Sequence, residues 1–204
     1  MLDRSLQALL RPTLMAAGRA LVRVGVGADA LTCWGFVLGM AAAICIACQW
    51  WLTGLALLLA SRLLDGLDGA VARLTQPTDA GAFLDIALDF LFYAAIPLAF
   101  AVADPAHNAL PAAVLLASFI GTGSSFLAFA ALAEKRGLTD TALPGKGFYF
   151  LGGLTEASET IAVFAAMCLW PAYFAQLAYV FASLCALTTG MRVVWGHRRL
   201  RSSV

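Results

Sequence analysis

The sequence predicts an all-α membrane protein: a bundle of six transmembrane helices, preceded by an amphipathic helix on the membrane surface. The mean hydropathy is +0.86, and 62% of the residues are hydrophobic. Only 12% are charged, whereas about a quarter of the residues in a soluble domain are charged. Two stretches of 32 residues, Ala30–Ser61 and Thr160–Met191, contain no charged residue at all. These observations exclude an ordinary soluble domain.

The first 25 residues differ from the rest because they are basic. Arg4, Arg11, Arg19 and Arg23 interrupt them, so they lack the continuous apolar core of a signal peptide. Arginines interspersed with apolar residues are typical of a helix that lies in the plane of the membrane surface. We therefore predict an amphipathic interfacial helix here.

Each uncharged stretch of 32 residues exceeds the roughly 20 residues that cross a bilayer once, so each predicts a helical hairpin. We place the two breaks at Thr53-Gly54 and at Trp170-Pro171. Hydrophobic segments between the two uncharged stretches supply the remaining spans. The predicted spans cover residues 30–51, 54–74, 79–103, 108–133, 152–170 and 172–195. We predict that they form a single domain over residues 1–204.

Positive charge is distributed unevenly between the two sides of the predicted membrane spans. Of the 13 Lys and Arg residues, twelve fall in the termini and in the loops or span ends of one side. The turns around Thr53, Pro105 and Pro171 contain none, and Arg62 lies inside a span. The positive-inside rule therefore predicts that both termini are cytoplasmic. No basic stripe indicates nucleic-acid binding.

Four carboxylates interrupt the apolar pattern around the second and third spans. Asp65 and Asp68 are three residues apart, and Asp85 and Asp89 are four apart. Each pair lies on one face of a helix. Converging carboxylates in apolar surroundings repel one another unless cations neutralise them, and oxygen ligands suit magnesium or manganese. The pattern predicts a divalent-metal site, with room for two ions.

The residues around these aspartates form a longer motif. It reads Asp65-Gly66-Leu67-Asp68-Gly69-Ala70-Val71-Ala72-Arg73, followed by a spacer of seven residues and then by Gly81, Asp85 and Asp89. This resembles the signature of the CDP-alcohol phosphatidyltransferase family, D-x-x-D-G-x-x-A-R, about eight residues, then G-x-x-x-D-x-x-x-D. Every fixed position matches. The spacer is one residue short, but it falls in a predicted loop, where a deletion is tolerated.

The resemblance implies a membrane enzyme, active as a homodimer, that transfers a phosphatidyl group from CDP-diacylglycerol to an alcohol and releases CMP. It implies that the metal ligands are Asp65, Asp68, Asp85 and Asp89, with Asp89 also the general base. It implies that the CDP site includes Gly69, Ala72, Arg73 and Gly81. The metal would be Mg²⁺ or Mn²⁺. Members that use CDP-choline or CDP-ethanolamine share the motif.

Two further positions near the motif, Asp29 and Gly66, have two interpretations each. Many family members carry P-N-x-[LI]-T before the first span, of which this chain retains only Leu31 and Thr32. Asp29 in this segment either caps the helix or contacts the nucleotide. Gly66 allows a nucleotide or a neighbouring helix to approach. For Arg62 we predict an intrahelical salt bridge to Asp65.

Acidic residues also open the predicted fifth span. Glu156 and Glu159 are three residues apart, and negative charge near a helix N-terminus is favourable in itself. If they line the acceptor site instead, they favour a neutral polyol or an amino alcohol. Lys135 and Arg192 would favour a phosphorylated acceptor, so glycerol 3-phosphate is the second choice.

A function of another class also fits intramembrane aspartates, namely a small cation transporter. Its carboxylates would lie near the midplane, whereas these cluster beside Arg73 toward the cytoplasmic face. We therefore predict an enzyme in the bacterial cytoplasmic membrane, with its active site facing the cytoplasm.

Overall fold

The computed structural model describes residues 2–136 and 155–201, which fold into seven α-helices and one short 3-10 helix. The α-helices are α1 (Leu2–Arg23), α2 (Ala28–Ala47), α3 (Trp51–Leu74), α4 (Asp79–Ala103), α5 (Pro105–Lys135), α6 (Ala157–Leu169) and α7 (Phe174–Arg201). The 3-10 helix, Pro171–Tyr173, directly precedes α7. The described residues contain no β-strand, so the predicted all-α class is confirmed.

Four of these helices, α2, α4, α5 and α7, are long and apolar enough to cross a membrane. Helix α3 is also long, but it carries Arg62 and the two motif aspartates within its apolar length. Helix α6 has 13 residues, or about 20 Å at 1.5 Å per residue. The predicted fifth span starts at residue 152, outside the described ranges. This helical composition identifies the chain as an integral membrane protein.

The break between α2 and α3 lies earlier than the sequence indicated. The chain turns at residues 48–50, where Gln49 adopts φ 63°, and Thr53-Gly54 lies inside α3. Our placement was wrong because Gly54 serves close packing, not a turn: a Cβ there would lie 2.6 Å from Ile46 Cγ1. The break at Trp170-Pro171 is confirmed.

The buried core extends along the bundle from Phe92 on α4 to Phe174 at the start of α7. Phe100 is fully buried and stacks on Trp51 at 5.5 Å and on Phe174 at 4.6 Å between ring centroids. Phe92 and Phe164 are also fully buried. Because lipid is as apolar as these side chains, close van der Waals packing holds the helices together. Packing in the core thus fixes the relative positions of α3 and α4, and with them the positions of the motif aspartates.

Small residues on α2 let it approach both helices of the motif. A Cβ on Gly35 would lie 3.4 Å from the Ser61 carbonyl oxygen, and one on Gly39 would lie 2.6 Å from Phe92 Cδ2. Glycines four residues apart create such a groove on one helix face. Ser61 Oγ donates a hydrogen bond to the Gly35 carbonyl at 2.7 Å. This contact sets α3 against α2 one turn before Asp65.

Candidate functional site

Three motif aspartates meet where α3 ends and α4 begins. One carboxylate oxygen from each of Asp65, Asp68 and Asp85 lies within 4.8 Å of the other two. Asp68 is buried, and the other two are half-buried. Ligands on opposite sides of Mg²⁺ are about 4.2 Å apart, because each Mg–O bond is about 2.1 Å. The cluster therefore fits a divalent cation after small side-chain rotations.

The fourth predicted ligand, Asp89, lies beside this cluster and pairs with an arginine. Arg62 Nη1 donates to Asp89 Oδ1 at 2.6 Å and is 3.2 Å from Asp65 Oδ1. The predicted intrahelical pair of Arg62 and Asp65 is confirmed. The guanidinium also connects α3 to α4, a contact that the sequence did not indicate. A small cavity opens between these groups, lined by Thr32, Gly35, Phe36, Arg62, Asp65, Asp85, Leu88 and Asp89.

Helix α2 contributes a residue that our sequence-based list of site residues did not contain. Thr32 Oγ1 donates to Asp68 Oδ2 at 2.7 Å and is also 3.1 Å from the Ala28 carbonyl. A hydroxyl that holds one oxygen of a carboxylate orients the other toward a ligand. The available signal was the position of Thr32 in the partial P-N-x-[LI]-T match.

Asp29 does not cap α2, which was our first interpretation. The N-cap is Gly27, and no side chain accepts a capping hydrogen bond there. Asp29 lies in the first turn, and its Oδ1 would be 2.9 Å from a Cβ on Gly81. At the start of α4, Thr78 Oγ1 accepts a hydrogen bond from Gly81 N at 3.0 Å. The lack of a side chain at Gly81 therefore brings the starts of α2 and α4 together.

The two glycines of the α3 motif have different neighbours. A Cβ on Gly66 would lie 3.3 Å from Leu14 Cδ1 of α1, so this glycine accommodates a helix. At Gly69 the nearest group is the guanidinium of Arg73 on the same helix, 3.3 Å away at Nη1. Ala72, also predicted to line the CDP site, is half-buried. The surface at Gly69 thus presents a positive charge over bare backbone.

The sequence model of the CDP-alcohol phosphatidyltransferase family matches residues 26–195. The chain belongs to this family. As a member it is a phosphotransferase enzyme, and membership favours this activity over a small cation transporter.

Two relatives extend the comparison. The inner membrane protein YnjF of Escherichia coli is 51% identical over 202 residues, which cover 99% of this chain and 98% of YnjF. The archaetidylinositol phosphate synthase of Methanothermobacter thermautotrophicus is 47% identical over 70 residues, which cover 34% of this chain and 36% of that enzyme.

Solved structures of the phosphatidylinositol phosphate synthase of Mycobacterium tuberculosis share the fold. The form with CDP-DAG bound aligns with a TM-score of 0.70 at 20% identity, covering 88% of this chain and 91% of that one. The complex with manganese and citrate aligns with a TM-score of 0.69 at 23% identity, covering 90% and 88%. The arrangement of helices in this CDP-alcohol phosphatidyltransferase is therefore shared with that synthase.

The acidic pair of α6 forms a capping box. Glu156 is the N-cap residue, and Glu159 Oε2 accepts from Glu156 N at 3.3 Å and from Ser158 Oγ at 3.1 Å. The reciprocal bond from the Glu159 backbone to the Glu156 side chain is also present. The interpretation as helix-terminus residues is thus confirmed.

Positive charge lies close to this capping box. Arg192 Nη1 of α7 donates to the Thr122 carbonyl of α5 at 3.2 Å, and Glu156 is among the charges that act on Arg192. Lys135 is exposed at the end of α5. Of these two basic residues, Arg192 is the one that interacts with the acidic start of α6 in this CDP-alcohol phosphatidyltransferase.

A larger cavity, of about 520 Å³, lies at the opposite end of the bundle. Gln49, Asp104, His107 and Gln176 are among its lining residues. His107 Nδ1 pairs with Asp104 Oδ2 at 2.9 Å. This cavity contains none of the motif residues, so its size does not make it the candidate active site of this enzyme.

Proposed function

We propose that this enzyme transfers the phosphatidyl group of CDP-diacylglycerol to the hydroxyl of an alcohol and releases CMP. The observation that carries the proposal is the meeting of Asp65, Asp68 and Asp85, with carboxylate oxygens within 4.8 Å of one another. Asp89 lies beside them. In the reaction, the alcohol oxygen bonds to the phosphorus that carries diacylglycerol, and the bond from that phosphorus to CMP breaks. Asp89 takes the proton of the alcohol.

We propose that Asp65, Asp68, Asp85 and Asp89 hold Mg²⁺ or Mn²⁺, in total two ions. Bound metal would neutralise the pyrophosphate and stabilise the departing CMP. Four carboxylates and the one arginine among them carry a net negative charge, which supports the binding of divalent cations. The role of Asp89 as base is compatible with its salt bridge, because the guanidinium contacts Oδ1 and leaves Oδ2 to accept a proton.

We propose that Gly69, Ala72, Arg73 and Gly81 form the CDP site. The guanidinium of Arg73 lies over the bare backbone of Gly69, where it can pair with a phosphate oxygen. Gly81 lies in the first turn of α4, where the helix dipole favours anionic groups.

We propose a single domain, residues 1–204, in which α2 to α7 form six spans and α1 lies at the inner membrane surface. In α3 the buried charges are paired, Arg62 with Asp65 and Asp89, which lowers the cost of placing them in a membrane. Both termini would face the cytoplasm of a bacterial cell, and two chains would form a homodimer.

The proposed topology predicts which introduced cysteines react from outside an intact cell. In a background lacking the five native cysteines, we expect His107→Cys to react with an impermeant maleimide. We expect Lys135→Cys to react only after permeabilisation. Both positions are exposed. The opposite labelling pattern would show that the orientation is inverted.

For the acceptor, we propose a neutral polyol or an amino alcohol. The support is that Glu156 acts on Arg192 and thereby offsets the positive charge that a phosphate group would require. The second candidate is a phosphorylated alcohol such as glycerol 3-phosphate or an inositol phosphate. The positive charge of Lys135 favours it. So do the names of the M. tuberculosis and M. thermautotrophicus enzymes, which are synthases of phosphatidylinositol phosphate and archaetidylinositol phosphate.

The acceptor is tested by incubating the purified protein with CDP-diacylglycerol, Mn²⁺ and a panel of neutral, amino and phosphorylated alcohols. We expect the fastest CMP release with a neutral or amino alcohol. Glu156→Gln should lower the KM for phosphorylated alcohols, because Arg192 then lacks an opposing charge. The proposal is wrong if a phosphorylated alcohol is the best acceptor while Glu156→Gln and Glu159→Gln leave its KM unchanged.

A further inference from the structure

The guanidinium of Arg62 lies between the two carboxylates that come from different helices. Nη1 is 2.6 Å from Asp89 Oδ1 on α4 and 3.2 Å from Asp65 Oδ1 on α3. The Arg62 side chain is 8% exposed. A buried arginine in a transmembrane bundle is costly unless it is paired. Asp65 and Asp89 supply this pairing, which ties the charge of Arg62 to the motif aspartates.

Contacts on its other sides hold this guanidinium in one place. It stacks on the Phe92 ring, 3.8 Å from the centroid, and Nη2 donates to Ser61 Oγ at 3.2 Å. Phe92 is fully buried, and Ser61 is fixed by its hydrogen bond to Gly35. Both approach Gly39, where a Cβ would lie 2.6 Å from the ring. The surroundings of Arg62 are thus built by three helices.

Charge explains what such a fixed guanidinium can do. Asp65 belongs to the cluster of three aspartates and also contacts Arg62. Only the Asp65 carboxylate would therefore separate a cation bound by the cluster from the Arg62 guanidinium. Two positive charges this close to each other repel, even at the effective dielectric constant of a protein interior. Arg62 therefore both attracts the carboxylates and weakens the binding of any further cation among them.

We propose that Arg62 is a positioning residue that acts as a fixed internal cation: it holds Asp89 and Asp65 in register and limits how tightly the aspartates bind divalent metal. This inference rests on the proposed function. Its two consequences are separable, because metal affinity depends on the charge of residue 62 and the placement of Asp89 depends on the shape of its side chain.

The experiment compares Arg62→Gln and Arg62→Lys with the unmodified protein in detergent. Mn²⁺ binding is followed by electron paramagnetic resonance, and CMP release is followed at saturating Mn²⁺. For Arg62→Gln we expect Mn²⁺ to bind about tenfold more tightly and kcat to fall. For Arg62→Lys we expect nearly unchanged Mn²⁺ binding but at least a tenfold lower kcat, because an ammonium group cannot reproduce the planar fork.

The matched control is Arg198→Gln, which removes one exposed arginine near the end of α7 and should leave Mn²⁺ binding unchanged. The inference is overturned if Arg62→Gln binds Mn²⁺ as the unmodified protein does. If Arg62→Gln does not fold, Arg62→Lys decides: a normal kcat overturns the inference. Should no alcohol support CMP release, the proposed function fails, and the Mn²⁺ titration still tests Arg62.

Discussion

Asp89→Asn is expected to keep the protein folded and able to bind CDP-diacylglycerol while reducing kcat by about 10²–10⁴-fold, the usual contribution of a general base. The amide oxygen can still accept the hydrogen bond that Arg62 donates to Asp89 Oδ1, so the connection between α3 and α4 should survive. An amide cannot accept the proton of the alcohol. Rates of CMP release at saturating substrate, with binding of CDP-diacylglycerol measured separately, provide the comparison.

The matched control is Asp79→Asn on the same helix. Asp79 is exposed in the first turn of α4, so its loss removes the same charge without touching the cluster and should leave turnover nearly normal. An Asp89→Asn protein that retains more than about a tenth of normal activity would show that Asp89 is not the base.

Asp68→Asn should have a different kinetic signature, because this residue lies within the aspartate cluster that we propose binds the metal. We expect the Mn²⁺ concentration for half-maximal activity and the KM for CDP-diacylglycerol to rise together, each by at least about tenfold. The reason is that the nucleotide pyrophosphate would bind through the same ions. Activity titrated with Mn²⁺ at several substrate concentrations separates these effects from a loss of kcat alone, which would contradict the assignment of Asp68 as a ligand.

Thr32→Val tests the same ligand from the other side of its hydrogen bond. It removes the hydroxyl that donates to Asp68 Oδ2 at 2.7 Å, and loss of such an orienting contact typically costs about 10–100-fold in metal affinity or activity. The control is Thr189→Val, since Thr189 Oγ1 bonds to the Cys185 carbonyl four residues earlier. A Thr32→Val protein with an unchanged Mn²⁺ requirement would remove Thr32 from the site.

The residues of the aspartate cluster were predictable because they follow helical spacing. Asp65 and Asp68 share one face of α3, and the helix ends at residues 74 and 79 agree with the predicted ones. The spacing of charged residues within apolar segments of helical length was therefore enough to locate both pairs of aspartates. It could not indicate how α3 and α4 are rotated against each other, and this rotation decides that Asp89 faces Arg62.

Contacts between distant residues were the part that sequence patterns missed. Thr32 and Asp68 are 36 positions apart, and only the packing of α2 on α3 brings them together. The turn at Gln49 also lacked a signal, because a positive φ is normally taken by glycine or asparagine and here falls on glutamine. Gly54, which suggested the turn, serves helix packing instead.

The central claim is that bound divalent metal at the aspartate cluster enables alcohol-dependent release of CMP from CDP-diacylglycerol. The most direct test is to remove metal from the purified protein with a chelator, then restore Mn²⁺ in steps while CMP and the lipid product are quantified together. We predict no CMP release without metal and equal amounts of CMP and new phospholipid once Mn²⁺ is restored, provided an acceptor alcohol is present. Undiminished CMP release in the chelated protein, or CMP release without a new phospholipid, would contradict the claim.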